Sequence, residues 1–225
     1  MIRQILKLLS GDAVRRGLPG KARMFDNIVG YKEIKRTFLR SLISKEPVHI
    51  LLIGPPGQAK TLFLKSILHE FRDKSFFTIG GNASKAGIID ALFDLRSKYL
   101  LVDEIEHLKS EYQTMLLSLM ETGILTQTMH RKVRQTNLKT WVFATSNGTK
   151  RLSAPLLSRF RVIYVNKYDF GQFYEISTKK LLDEGLSQYT ADEITKSVWE
   201  QLPNPNIRNC VQIGRLVKND LSLNS

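Results

Sequence analysis

A glycine-rich loop directly after an apolar run holds the residues best suited to phosphate chemistry. The run is Val48–Ile53. The residues expected to surround the nucleotide are those of the loop, Gly54, Pro55, Pro56, Gly57, Gln58, Ala59, Lys60 and Thr61, together with Leu62, which follows it. In such a loop, backbone N–H groups wrap the phosphates, Lys60 neutralises the β- and γ-phosphates, and Thr61 offers its hydroxyl to Mg²⁺. The spacing therefore predicts a nucleoside triphosphate site, for which the alternative is a plain turn with an incidental lysine.

One residue of the loop departs from the pattern G-x-x-x-x-G-K-[ST], because Ala59 stands where the last glycine is expected. Glycine at that position lets the backbone turn and approach the phosphates closely, whereas alanine adds a Cβ atom. We expect this change to tune nucleotide affinity and to leave the assignment of the loop intact.

A pair of carboxylates completes the candidate site. The apolar run Tyr99–Val102 ends in Asp103 and Glu104. Open α/β sheets bind ligands at the carboxyl ends of their strands, where Asp103 would hold Mg²⁺ through water. Glu104 would orient and deprotonate an attacking water. A solvated charge pair at a strand exit is the alternative, and the phosphate loop upstream argues against it.

The elements that must position these residues follow an α/β pattern. From Gly30 to Val165, short apolar runs alternate with helical patterns, which predicts βαβ units around a mainly parallel sheet. The five predicted strands are Val48–Ile53, Phe76–Ile79, Tyr99–Val102, Trp141–Thr145 and Val162–Val165. Apolar residues at helical spacing predict helices over Glu33–Ser44 and Thr61–Phe71.

The chain after Tyr168 lacks strand-like runs and favours helices. The predicted helices are Phe170–Glu184, Ala191–Gln201 and Arg208–Leu221. Thr190 and Glu193 form the pattern of a capping box at the second of them. We therefore predict an α/β nucleotide-binding domain at residues 1–167 and a small all-helical domain at residues 168–225.

The start of the chain, residues 1–24, is predicted to be an extension of the α/β domain. Met1–Leu9 is too short and too interrupted by charge for a signal peptide. We expect it to form a short amphipathic helix that packs on the body of the protein or on a partner.

Composition favours a cytoplasmic protein that meets a polyanion. Cys210 is the only cysteine, which excludes an intramolecular disulfide and suits a reducing cytoplasm. No stretch is long and apolar enough to span a membrane, so no membrane partner is expected. The formal net charge of +13 predicts a nucleic-acid partner, with an unspecialised basic surface as the alternative.

Two further segments make the chain resemble AAA+ ATPases. Phe25–Tyr31 resembles the box before the first helix of that family. The residues of this box that would line the adenine of ATP are Ile28, Val29 and Gly30. The segment 140–147 resembles the strand that carries sensor 1, with Asn147 placed to polarise the water or to touch the γ-phosphate. The resemblance implies ATP and Mg²⁺ as ligands and a five-stranded sheet followed by a helical lid.

Two arginines resemble the remaining catalytic groups of the family. The segment around Arg159 resembles the arginine-finger segment, although Arg161 is a near neighbour that could take the same role. Arg208 corresponds to sensor 2. The simpler alternatives are that Asn147 forms a turn, that Arg159 caps a helix and that Arg208 lies on a helix surface.

A finger role for Arg159 implies an oligomer, because the family places that arginine at the ATP of a neighbouring subunit. Such an arginine stabilises charge in the transition state of phosphoryl transfer. We therefore expect a homo-oligomeric ring, with a hexamer as the expected form, and a lone subunit that is nearly inactive.

The segment Glu121–Lys139 is predicted to form a hairpin and to contact DNA. It resembles the pre-sensor insert of ring helicases such as the bacterial Holliday-junction branch-migration motor. The candidate DNA-contacting residues are Lys85, in the loop after the second strand, and Arg131, Lys132 and Arg134 in the hairpin. A solvated basic hairpin and a flexible surface loop are the alternatives.

The leading hypothesis is therefore a Mg²⁺-dependent ATPase that works as a ring and remodels or translocates along DNA. Only the motor module of the branch-migration helicases is matched, so DNA contact would have to come from the hairpins, from the basic surface or from another protein that supplies DNA specificity. One alternative is an AAA+ ATPase that remodels or loads a protein complex. The other is a nucleotide-gated binding switch with little turnover.

Overall fold

The computed structural model describes residues 23–82, 85–129 and 132–223. In chain order, the elements are α1 Lys32–Ile43, β1 Ile50–Ile53, α2 Lys60–Glu70, β2 Ser75–Ile79, α3 Lys85–Leu95, β3 Tyr99–Asp103, α4 Ser110–Thr122, β4 Ile124–Met129, β5 Lys132–Asn137, β6 Trp141–Ser146, α5 Ala154–Arg159, β7 Arg161–Tyr164, α6 Phe170–Asp183, α7 Gln188–Gln201 and α8 Ile207–Leu223. Short 3₁₀ turns occupy Arg72–Lys74, Gly80–Asn82 and Ile105–His107. The helix predicted at Met1–Leu9 lies outside the described residues.

Five strands form one sheet in the order β2-β3-β6-β1-β7, and every neighbouring pair is parallel. The strands β1, β3 and β6 are buried along their whole length, as expected for parallel strands covered on both faces. All five strands predicted from the sequence are present, and the five-stranded α/β fold is confirmed. The parallel pairing brings the carboxyl ends of β1, β3 and β6 to one edge of the sheet.

Alternate residues of the strands enter two separate cores. Leu51 belongs to the core that the helices α3, α4 and α5 complete, through residues such as Leu116. Leu52 belongs to the core on the other side, which includes Phe38 of α1 and Phe63 of α2. The period-two alternation of side chains along a strand explains this division.

The described chain forms two compact units. The first unit contains residues 23–55 and 59–165, and the second contains residues 56–58 and 166–223. In the second unit, α6, α7 and α8 pack on one another. Asp169 caps α6, because its carboxylate accepts a hydrogen bond from the Gln172 backbone N–H at 2.8 Å. Within the described ranges, no helix has the length and apolar character to cross a bilayer.

The helix α7 begins at Gln188, three residues before its predicted start. Ser187 is its N-cap, and the Ser187 hydroxyl accepts a hydrogen bond from the Thr190 backbone N–H at 3.1 Å. The capping box predicted at Thr190 and Glu193 is therefore wrong. The physical reason is that Gly185, with a φ of +87°, follows the end of the preceding helix, and Ser187 is then the first residue whose side chain can cap α7.

His49 is a buried neutral imidazole that ties β1 to β6 and α4. Its Nδ1 accepts a hydrogen bond from the Val142 backbone N–H at 3.0 Å, and its Nε2 lies 3.4 Å from the carbonyl oxygen of Met120. Burial lowers the pKa of His49 from 6.5 to about 4. Protonation would therefore break the bond to Val142 inside the sheet.

This shift predicts a loss of stability in mild acid. Below pH 6.5 the unfolded chain binds a proton at His49, whereas the folded chain binds it only near pH 4. The free energy of unfolding should therefore fall by about 3 kcal/mol over that interval. Urea denaturation at several pH values should show this fall in the wild type and much less of it in His49→Gln. His69→Gln, at an exposed position, is the control, and equal pH slopes in all three proteins would contradict the prediction.

Candidate nucleotide site

The loop between β1 and α2 is held by close backbone approaches. The Gly54 N–H donates to the carbonyl oxygen of Ser146 at 3.2 Å. A Cβ atom on Gly54 would lie 2.5 Å from the carbonyl oxygen of Val165, so only glycine fits there. At the other end of the loop, Ala59 is the N-cap of α2 and adopts the left-handed conformation, with φ 53° and ψ 9°.

The conformation of Ala59 predicts that Ala59→Gly stabilises the protein. A left-handed alanine is strained by about 1 kcal/mol, and glycine adopts the same dihedral angles freely. We expect the free energy of unfolding in urea to rise by about 1 kcal/mol. The matched control is Ala91→Gly inside the right-handed helix α3, which should cost about the same amount. Effects of the same sign in both variants would contradict the prediction.

The Lys60 ammonium lies inside the loop rather than in solvent. The residue is 7% exposed, and its Nζ donates to the carbonyl oxygens of Gly54 at 2.7 Å and Pro55 at 2.8 Å. It also donates to Oδ1 of Asn147 at 3.0 Å. The first residue of α2 thus places its charge at the shared edge of β1 and β6, where phosphate oxygens could replace these neutral acceptors.

Thr61 and Asp103 come together from neighbouring elements. The Thr61 hydroxyl lies 3.0 and 3.1 Å from the two carboxylate oxygens of Asp103, which is 8% exposed. Mg²⁺ prefers oxygen ligands and is commonly held by one or two protein groups, with water and substrate phosphate completing the shell. A hydroxyl beside a carboxylate at the phosphate loop fits that preference.

Thr145 is a site residue that the sequence reasoning missed. Its hydroxyl donates to Asp103 and accepts a hydrogen bond from the Glu104 backbone N–H at 3.0 Å. A usable signal was present, because Thr145 is a polar residue in an apolar strand and lies two positions before Asn147, on the same face. Thr145 therefore joins the two carboxylate residues to the strand that carries Asn147.

Glu104 also has a strained backbone. Its φ of 54° and ψ of 50° place it in the left-handed region, and its side chain is exposed. A Cβ atom on Gly80 would lie 2.3 Å from the Glu104 carbonyl oxygen, so the turn requires a glycine beneath it. Left-handed residues other than glycine are uncommon and cluster at functional sites. This strain coincides with the carboxylate that the sequence assigns to water activation.

Glu106 is the second residue that the sequence reasoning overlooked. It is 8% exposed, and its Oε1 accepts hydrogen bonds from the backbone N–H of Asn147 at 2.8 Å and from Nδ2 of Asn147 at 3.0 Å. The sequence did contain a signal for Glu106, because it is a third acidic residue close after the pair Asp103 and Glu104. The network runs from Glu106 through Asn147 to Lys60.

The two candidate finger residues lie on either side of the junction between α5 and β7. Arg159 ends α5, is exposed, and forms an ion pair with Glu121, with Nη2 and Oε1 2.6 Å apart. Arg161 begins β7 and is also exposed. Neither location assigns a role, so the finger remains a prediction.

The predicted adenine box is partly buried. The Ile28 side chain is 1% exposed and packs in the core with residues such as Phe63, which leaves only its backbone to line a ligand. Val29 and Gly30 are partly exposed, and Gly30 has a φ of +70°. The contact with adenine remains a prediction for these residues.

The second unit has a cavity of about 300 Å³, a volume at the low end for small-molecule pockets. It is lined by Gly57, Gln58, Lys167, Tyr168, Phe173, Trp199, Leu202, Pro203, Pro205, Asn206 and Ile207. Gln58 Oε1 accepts a hydrogen bond from the Tyr168 backbone N–H at 2.9 Å, and Asn206 packs against Gly57. Two loop residues therefore share a cavity with aromatic side chains that the sequence reasoning did not assign. Arg208 is exposed in the first turn of α8.

The hairpin of β4 and β5 is antiparallel, as predicted, and lies against α3. The Arg134 guanidinium lies 4.6 Å from the centre of the Phe93 ring, and its Nη2 lies 3.4 Å from Oδ1 of Asp94. Arg131 lies outside the described residues, and the side chains of Lys85 and Lys132 are not among those described. The DNA contacts of these four residues remain predictions.

Comparison with protein families gives one match. The model of the ATPase family associated with various cellular activities (AAA) matches residues 50–168, which is more than half of the chain. The matched segment contains the phosphate loop, both carboxylates, Asn147 and Arg159.

Curated proteins and solved structures give a consistent likeness. The chain is 29% identical over 191 residues to the Holliday junction branch migration complex subunit RuvB of Fusobacterium nucleatum, covering 78% of this chain and 58% of that protein. It is also 29% identical over 193 residues to RuvB of Ligilactobacillus salivarius, covering 78% and 57%. The chain thus spans less than two thirds of these relatives. The solved Thermotoga maritima RuvB Holliday junction branch migration motor has a TM-score of 0.66 at 21% identity, over 88% of this chain and 65% of that one. At that identity the likeness supports the fold alone.

Proposed function

The chain belongs to the ATPase family associated with various cellular activities, and from this premise we propose that it hydrolyses ATP with Mg²⁺ as an oligomeric motor acting on DNA. The observation that supports ATP hydrolysis most directly is that four side chains meet at one edge of the sheet. Lys60 lies 3.0 Å from Asn147, and Thr61 lies 3.0 Å from Asp103. These contacts join the ends of β1, β3 and β6 into one site.

In the proposed mechanism, each group has a separate task. Lys60 and the loop N–H groups would hold the β- and γ-phosphates, and Thr61 and Asp103 would hold Mg²⁺. Bound Mg²⁺ would neutralise charge that develops on the phosphate oxygens. Glu104 accepts the proton of the attacking water, and a finger arginine stabilises the transition state.

The cavity of the second unit is the proposed contact for the base. Aromatic side chains stack well on nucleobases, and Tyr168 and Trp199 line this cavity together with Gly57 of the loop. In this proposal Arg208 acts as sensor 2.

The DNA part of the proposal is supported by charge and by likeness. Residues 166–225 contain seven basic and eight acidic residues, so residues 1–165 carry the whole surplus, a formal net charge of +14. A basic surface of this size favours a polyanion. The relatives are named as subunits of a complex that migrates Holliday junctions, which supports branched DNA as the substrate and a protein partner. The working form is proposed to be a ring of six subunits in the cytoplasm, which the single Cys210 also suits.

ATP turnover with and without DNA tests the function. We expect branched or duplex DNA to stimulate hydrolysis, and we expect the stimulation to fall steeply with salt, because phosphate contacts release counterions. Lys60→Ala measures the contaminating activity of the preparation. DNA-insensitive turnover would favour a protein-remodelling ATPase, and absence of turnover at high protein concentration would favour a nucleotide-gated switch.

A further inference from the structure

Glu106 is a buried carboxylate whose arrangement is unfavourable for stability. It lies in the 3₁₀ turn Ile105–His107 and is 8% exposed. Its Oε1 accepts hydrogen bonds from Asn147, whereas its Oε2 is buried without a hydrogen-bond partner among the described atoms. Leaving a buried charged oxygen unpaired costs free energy. A buried carboxylate oxygen without a partner, next to a candidate site, points to a role other than stability.

The neighbours of Asn147 determine which way its amide group faces. On one side, Glu106 Oε1 already accepts the Asn147 backbone N–H at 2.8 Å, so the side-chain group 3.0 Å from the same oxygen is the NH₂. On the other side, the Lys60 ammonium has only donors, so it must meet the amide oxygen, at 3.0 Å. Both neighbours require the same orientation, which leaves no ambiguity in the amide.

This orientation limits what Asn147 can do. The amide NH₂ only donates hydrogen bonds and the amide oxygen only accepts them. With the NH₂ held by Glu106, Asn147 presents an acceptor at the phosphate loop. An acceptor can orient the Lys60 ammonium or a water molecule, whereas it repels a phosphate oxygen. The two sensor 1 roles, orienting the water and touching the γ-phosphate, are therefore distinguishable.

We propose that Glu106 is a positioning residue that locks Asn147 with its oxygen towards Lys60 and the attacking water. This role rests on the proposed ATP hydrolysis and makes it more specific. Glu106 touches neither substrate nor reacting atoms, because it acts through Asn147. The buried, unpaired Oε2 is the cost of holding a strong acceptor at that point.

Two substitutions of Glu106 test the role. Glu106→Leu removes the acceptor and the buried charge, and it should lower kcat for ATP hydrolysis by about 10²-fold with little change in KM. Its melting temperature checks that the variant is folded under the assay conditions, because leucine also removes the acceptor of the Asn147 backbone N–H. Glu106→Gln keeps an acceptor for Asn147 and should retain kcat within a few-fold. Glu111→Gln, at an exposed carboxylate of α4, is the control.

A double-mutant cycle tests whether Glu106 acts through Asn147. Asn147→Ala removes the oxygen that faces Lys60 and should lower kcat by about 10²-fold. In that background Glu106→Leu should lower kcat no further, because no amide is left for Glu106 to position. A further loss of similar size in the double variant would show that Glu106 acts independently of Asn147.

The outcomes are distinct for the proposed function and for this role. Wild-type protein without ATP turnover would overturn the proposed function and this role with it. Wild-type turnover that Glu106→Leu leaves unchanged would overturn the role of Glu106 alone. Wild-type turnover with additive losses in the double variant would do the same, because Glu106 would then act by a route other than Asn147.

Discussion

Replacing Glu104 with glutamine should leave ATP binding intact and lower kcat for hydrolysis by about 10²- to 10⁴-fold. A glutamine amide has the length of glutamate but cannot accept a proton from water at neutral pH. Turnover should be measured with saturating ATP and Mg²⁺, and affinity by equilibrium binding of ATP. The expected result is a protein that holds ATP and does not release phosphate.

The structure indicates that this substitution should remove the carboxylate without changing the fold around it. The Glu104 backbone N–H is held by the Thr145 hydroxyl at 3.0 Å, and its carbonyl packs on Gly80, so the backbone position does not depend on the carboxylate. The side chain is exposed, so its replacement leaves no cavity. Glu111→Gln controls for the loss of an exposed carboxylate elsewhere on the surface. Wild-type turnover in Glu104→Gln would contradict the assignment of the base.

The sheet could be predicted from the sequence because its evidence is local. Runs such as Tyr99–Val102 are continuously apolar, short, and bounded by polar residues, which is the pattern of parallel strands buried on both faces. The phosphate loop could be predicted because its glycines and lysine have fixed spacing. The unusual Ala59 was visible as a departure from that spacing, and the structure adds its left-handed conformation.

The rest of the candidate site depends on contacts between strands that are distant in the chain. Thr145 meets Asp103 across 42 positions, and Glu106 meets Asn147 across 41. No periodicity encodes such a meeting, because strand order is set by the whole fold. The left-handed turn at Glu104 likewise follows from its packing on Gly80 and not from the residue type.

Side-chain packing was the other source of difference between the prediction from sequence and the structure. The sequence suggests that Arg134 is available for DNA, but in the structure its guanidinium lies over Phe93 and beside Asp94. Ile28 reads as a ligand contact by analogy, but its side chain is in the core. A long or apolar side chain can pack against whichever neighbour the fold supplies, so its partner cannot be predicted from spacing alone.

Arg159→Ala should lower ATP turnover by about 10³- to 10⁵-fold while ATP still binds, if Arg159 is the finger of a neighbouring site. Arg159 is exposed at the end of α5, and its ion pair is with Glu121. An exposed ion pair contributes little to stability, so the variant should fold normally. Turnover and ATP affinity should be measured at a protein concentration that keeps the oligomer assembled, checked by light scattering.

Two matched variants separate the finger from the ion pair. Glu121→Gln removes the ion pair and keeps the arginine, so it should retain turnover. Arg161→Ala removes the neighbouring exposed arginine and should also retain turnover. Loss of activity in Arg161→Ala with full activity in Arg159→Ala would transfer the finger role to Arg161.

Mixing variants tests whether the arginine acts between subunits. In a mixed ring, an Arg159→Ala subunit keeps Glu104, and a Glu104→Gln neighbour supplies the missing arginine. Each variant alone has no complete site, but in a ring assembled at random from equal amounts about one quarter of the interfaces are complete. Turnover should therefore recover towards one quarter of the wild-type value. If Arg159 acted within its own subunit, neither variant could complete the other, and the mixture would be as inactive as its components.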